Sequence, residues 1–173
     1  LNANFTKEDI WVTLTYDNEH LPKDMKTARR FLRNYLRRLA AWMKRKGYGE
    51  FKYLYVTERI EDERAVRIHH HVVTNFPDRD VAESLWGGGG RTQARRLQPD
   101  DSGLEGLGRY ISKSRSVKYE KTWATSRNLK QPKITVSDTA ISRRRARNMV
   151  FNRDDAIAYF EKQNCGYKVI DLT

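Results

Sequence analysis

The chain reads as an α+β protein with a central antiparallel sheet and helices packed on one side of it. Three observations predict this. Segments of strand and helix character are mixed along the chain. Two strong strand segments are separated only by a short polar link, which suits a hairpin rather than a crossover. The 173 residues, 38% of them hydrophobic, suffice for one substantial core.

The first element is a strand over residues 10–16, where DIWVTLTYD alternates and is rich in β-formers. LPKDM makes a turn. In TARRFLRNYLRRLAAWMKRKG, Ala28, Phe31, Leu32, Tyr35, Leu36, Leu39, Trp42 and Met43 recur at helical spacing. Thr27 is the expected cap of this helix and Gly47 its expected stop. Its other face carries Arg29, Arg30, Arg33, Arg37 and Arg38, a pattern that is commonly just a solvated face.

FKYLYVTE (51–58) is the second strand and RIHHHVVTNF (67–76) the third, with RIEDERAV as the polar connection. DRDVAESLW is a short helix. GGGG (87–90) is expected to be a flexible connector, because the lysine and hydroxyl that end a phosphate-binding loop are missing. RTQARRLQ is a candidate fourth strand, and a helix is expected from about Leu104. KITVS (133–137) is a candidate fifth strand. TAISRRRARNMV and RDDAIAYFEKQ read as helices, and YKVIDL is a candidate last strand.

Charge narrows the partners. Thirty-four Lys and Arg against 22 Asp and Glu give a net charge of +12, which favours nucleic acid ahead of an anionic membrane. Cys165 is alone, so an internal disulfide and a cysteine zinc cluster are excluded and a reducing compartment, the cytoplasm, is expected. No apolar run approaches a membrane span, and no signal peptide is recognisable. The chain begins at Leu1, as expected of a piece of a longer protein.

Two constellations carry chemistry. Side chains alternate on a strand, so His69 and His71 share one face while His70 points the other way. Two imidazoles at i and i+2 can chelate manganese or zinc, and Glu58, ending the preceding strand, is the natural third ligand. Such a set leaves positions open for substrate. Many His-x-His pairs bind nothing, however, and the spacing alone does not decide. In GRYISKS, Tyr110 and Lys113 lie on one helix face. A phenol with a pKa near 10 is a poor nucleophile unless the phosphate it attacks is polarised. A tyrosine, a metal and a phosphate polymer together imply a covalent phosphotyrosyl intermediate. By itself this tyrosine reads first as a packing residue, with Lys113 solvated.

Order and spacing join these pieces. WVTLTY (11–16), then Glu58 with RIHHHVV, then YISK resembles the three motifs of rolling-circle replication initiators of the HUH (His-hydrophobe-His) endonuclease superfamily, in the single-tyrosine form. NLKQPKI is similar to stretches in plasmid and phage members. The resemblance spans roughly residues 4–137. One position departs from the pattern: the middle residue is His70, where a hydrophobe is usual, and a buried imidazole needs partners.

The resemblance implies a central antiparallel sheet of about five strands flanked by helices, as in replication-initiator and RRM-like folds. It implies an endonuclease domain over 1–137. Residues 138–173, beyond the resemblance, are expected to be a helical extension packed on it. Glu58, His69 and His71 would hold one Mn²⁺ or Mg²⁺. Tyr110 would attack single-stranded DNA at an origin, leaving a 3′-hydroxyl and a 5′-phosphotyrosine, with Lys113 steadying the phosphate or the tyrosine. Arg91, Arg95, Arg109, Arg115, Lys118 and Arg127 are candidate phosphate contacts and Tyr16 a candidate base contact. Host helicase and polymerase are candidate partners; no membrane is. Three alternatives remain: a non-catalytic single-strand binder, a zinc-dependent hydrolase, and a single-tyrosine transposase of the same superfamily.

Overall fold

In the computed structural model, residues 1–62, 65–113, 123–132, 141–166 and 168–169 are described. They divide into two compact units, Leu1–Gln131 and Pro132–Thr173. Strand β1 (Ile10–Tyr16) leads into helix α1 (Met25–Arg45). Strands β2 (Tyr53–Asp62) and β3 (Ala65–Thr74) follow, then the short helix α2 (Arg79–Ser84) and β4 (Gly89–Arg96). Helix α3 (Glu105–Lys113) and strand β5 (Trp123–Thr125) complete the first unit. The five strands form one antiparallel sheet in the order β4-β1-β3-β2-β5.

Alternation along the strands makes two different faces. Ile10, Val12 and Leu14 of β1 and Val72 of β3 meet Leu32, Tyr35, Leu36, Leu39 and Met43 of α1 in one buried cluster. The opposite face, carrying Trp11, Leu54, Val56 and Val73, is packed by Leu104, Leu107 and Ile111 around α3. Helices therefore cover both sides of the sheet, where the sequence suggested one. The apolar residues of α3 are too few for its periodicity to reveal which face it covers.

Several boundaries differ from expectation for local reasons. Asp24, not Thr27, caps α1: its carboxylate accepts from the Thr27 N–H at 2.7 Å, and Thr27 lies inside the first turn. The polar link 59–66 is mostly strand, since β2 and β3 stay paired out to Asp62 opposite Ala65. Gly89 and Gly90 open β4 rather than forming a connector. A Cβ on Gly90 would stand 2.5 Å from the Tyr16 carbonyl carbon, and Gly89 has φ +69°, so glycine is required where β4 joins the end of β1.

The fifth strand is Trp123–Thr125, which pairs with β2; the candidate strand 133–137 lies outside the described residues. So does most of 167–172. The second unit holds α4 (Arg143–Phe151) and α5 (Arg153–Gln163), where both helices were expected. The Arg145 guanidinium sits 4.1 Å from the centroid of the Tyr159 ring, a cation–π contact between the two helices. No described helix is long and apolar enough to cross a membrane.

Candidate active site

The site lies on the α3 face of the sheet, where β2 and β3 run side by side. Their register sets Glu58 opposite His69 and Val56 opposite His71, while β1 sets Thr13 beside His71. Strand pleating turns Glu58, His69 and His71 to this face. His69 Nε2 is 2.8 Å from Glu58 Oε2, and His71 Nε2 is 3.6 Å from the same oxygen. One ligand atom from each of the three residues lies within 4.8 Å of the others.

The neighbours of His71 fix the orientation of its ring. Its Nδ1 is 3.2 Å from Thr13 Oγ1. When that hydroxyl accepts from Nδ1–H, the Nε2 lone pair is left facing Glu58. Trp11 stacks on the ring at 4.7 Å and 21°. Burial, reinforced by the neighbouring His69 and opposed by Glu58, lowers the His71 pKa to about 4, so at neutral pH the ring is uncharged, as a metal requires. Its Nε2 is the buried side-chain atom without a hydrogen-bond partner among the described residues. A cation between the three side chains would satisfy it, and the donor set of two imidazoles and one carboxylate fits a divalent ion.

Tyr110 stands over this group from α3. Its ring is 5.8 Å from the His71 ring and 6.0 Å from Trp11, edge-on to both. It is 49% exposed, so a polymer strand can reach it. Partial burial and then the Glu58 charge raise the phenol's pKa; it is protonated at neutral pH. Lys113 ends α3 three residues further on, and its side chain lies outside the described residues.

His70 lies on the other face and is fully buried. Its Nε2 is 2.7 Å from the Tyr16 hydroxyl and its Nδ1 2.9 Å from Thr57 Oγ1. Burial, with His69 and His71 adding to it, lowers its pKa to about 3. Both ring nitrogens are satisfied, which explains how a polar residue occupies a core position.

The remaining candidates separate. Arg95 lies opposite Trp11, and Gln93 opposite Thr13; alternation along β4 puts Arg91, Gln93 and Arg95 on the site's face, with both arginines exposed. Arg109 precedes Tyr110 and bonds Glu105 Oε1 through Nε at 2.8 Å. Arg127 follows Ser126, whose N–H bonds Tyr53 O, so it lies at the far end of β2, ~17 Å along the strand from Glu58. Arg115 and Lys118 lie outside the described residues. Tyr16 faces away from the site, where it binds His70 and packs edge-on against Trp86.

Sequence reasoning missed Trp11 and Thr13 as parts of the site. Their alternation in WVTLTY was visible, but which face of β1 joins the histidines depends on its pairing with β3. Trp123 was missed as well: it pairs with Val56 and is 46% exposed.

Among known proteins, the family model for the replication-associated protein ORF2 matches residues 9–125, well over half of the chain. No curated protein and no solved structure matches it. The matched span runs from the residue before β1 to the end of β5 and takes in Glu58, His69, His71 and Tyr110. The chain belongs to the replication-associated protein ORF2 family.

Proposed function

We propose that this chain nicks single-stranded DNA at a replication origin through a tyrosyl intermediate and so initiates rolling-circle replication. The observation that carries the reading is the convergence of Tyr110 on Glu58, His69 and His71 over one face of the sheet. Family membership supports a role in replication. The net charge of +12 suits a polyanionic substrate.

Glu58, His69 and His71 would hold one Mn²⁺ or Mg²⁺. Bound there, the ion would offset the Glu58 charge and act as a Lewis acid on the scissile phosphate. Tyr110 Oη attacks phosphorus as the phenol proton leaves. The bond from phosphorus to the 3′-oxygen breaks, and that oxygen takes up a proton. The products are a free 3′-hydroxyl and a 5′-phosphotyrosine. Lys113 is the cation assigned to steady the phosphate. Arg91 and Arg95 line the approach over β4 and would grip neighbouring phosphates without reading sequence. One phosphoester replaces another, so no ATP is needed, and the 3′-hydroxyl can prime a host polymerase behind a host helicase in the cytoplasm.

The test is incubation with a pool of single-stranded oligonucleotides and manganese, with and without chelator. A cut strand and a protein band of raised mass, both lost with chelator, are expected. Binding without cleavage under either condition would make the chain a single-strand binding module. Cleavage without a protein adduct would point to hydrolysis at the histidines.

A further inference from the structure

Helix α1 has a second surface that the nicking reading leaves unused. Its buried meridian packs on the sheet through Leu32, Tyr35, Leu36, Leu39 and Met43. Along the opposite meridian run Lys26, Arg30, Arg33, Arg37 and Lys44, all exposed. Their steps of four, three, four and seven residues keep them in one line, and Lys26 to Lys44 covers ~27 Å of helix. Exposed Ala41 fills the gap in this line, so no large side chain interrupts it.

No Asp or Glu occurs anywhere in α1. Among the described residues, Lys26 feels the charge of the Asp24 cap, and no ion pair joins Arg30, Arg33, Arg37 or Lys44 to a carboxylate. Arg37 bonds the neutral Asn34, and Arg30 lies 5.8 Å over the Phe31 ring. Like charges three and four residues apart work against a helix. An ordinary solvated face intersperses acids to relieve this; past the Asp24 cap, α1 has none.

We propose that this stripe is a docking surface for the phosphate backbone of duplex DNA. Its line of five cations, with no acid inside the helix between them, complements a regular array of phosphates. It offers no exposed aromatic platform for unstacked bases, because Phe31 is half-buried and packs against Tyr16, and single-strand binders depend on such stacking. It has no free apolar flank to enter a membrane, since that side of α1 is in the core. The stripe stands on the other side of the sheet from Tyr110, so a duplex arm can be held there while a single strand occupies the site.

The test measures fluorescence anisotropy of a 20-base-pair blunt duplex of arbitrary sequence, with the full chain, in chelator, across a salt series. Chelator silences metal-dependent cleavage, so the result does not depend on the nicking reading. The triple variant Arg30→Gln, Arg33→Gln, Arg37→Gln should bind at least ~10-fold more weakly, and its log–log salt slope should be shallower by about 2–3. The matched triple Arg143→Gln, Arg144→Gln, Arg147→Gln removes the same charge from exposed positions of α4 and should have the smaller effect. Glutamine preserves helix propensity, and circular dichroism checks folding. Were the triple to unfold, Arg33→Gln alone should make the slope shallower by about 0.9. Unchanged duplex binding, an equal loss in the α4 triple, or a stripe-dependent preference for phosphatidylserine vesicles over the duplex would each overturn the proposal.

Discussion

His70 and His71 are neighbours on β3, yet the protein treats them in opposite ways. His70, facing α1, has a hydroxyl on each ring nitrogen and no access to solvent. His71, facing α3, has one nitrogen oriented by Thr13 and the other left without a partner beside Glu58. Both are kept neutral by burial. Burial alone therefore does not suit an imidazole to a metal; a nitrogen lone pair must also be left unspent within reach of other donors. One face of the strand completes the fold, and the other leaves a donor group that could hold a cation.

The largest effect should come from the open face. Tyr110→Phe removes the hydroxyl and leaves the ring edge-on to Trp11 and His71. Covalent adduct on single-stranded DNA should fall by on the order of 10³-fold or more, with melting temperature unchanged. Glu58→Gln should come next. It keeps shape but removes the charge, and manganese affinity by calorimetric titration should drop by about 100-fold. A drop of less than about threefold would remove Glu58 from the ligand set.

A smaller loss of affinity, about 10-fold, is expected for Thr13→Val, which leaves the His71 ring without its orienting hydroxyl. His70→Leu tests the closed face. It leaves Thr57 without its imidazole partner and Tyr16 with only a 3.4 Å bond to Ala28 O. Stability in urea should fall by about 2 kcal/mol, while manganese affinity of the folded protein stays put. Adding Thr57→Val and Tyr16→Phe should recover part of that loss, since the stranded hydroxyls go with it. The smallest effect is expected from Arg95→Gln, which should weaken single-strand binding by less than 10-fold and make its salt slope shallower by about 0.7.

What the sequence made legible follows the range of the interactions involved. The pleat is local, so HHH could be resolved into two residues sharing one face and one core residue before any pairing was known. The α1 pattern is equally local, and its buried meridian emerged as read, though Asp24 took the cap from Thr27 because its carboxylate reaches the first free N–H groups. Pairing register is not local. Trp11 could not be placed on His71, nor Gly90 against Tyr16, without knowing how β1 meets β3 and β4. Tyr16 shows the same limit: its position in the first motif suggested a base contact, while its geometry commits its hydroxyl to His70. The nearness of Glu58 to the two histidines was readable because a hairpin makes strand neighbours of sequence neighbours.

One measurement bears most directly on the claim that Tyr110 works with the Glu58–His69–His71 group. A single-stranded oligonucleotide that the protein cuts is labelled at its 5′ end in one sample and at its 3′ end in another, incubated with manganese, denatured and digested. Only the 3′ label should remain on protein, attached to the peptide containing Tyr110, and the 5′-labelled fragment should leave with a free 3′-hydroxyl. A retained 5′ label, an adduct on any other residue, or cutting that is unaffected by chelator would contradict it.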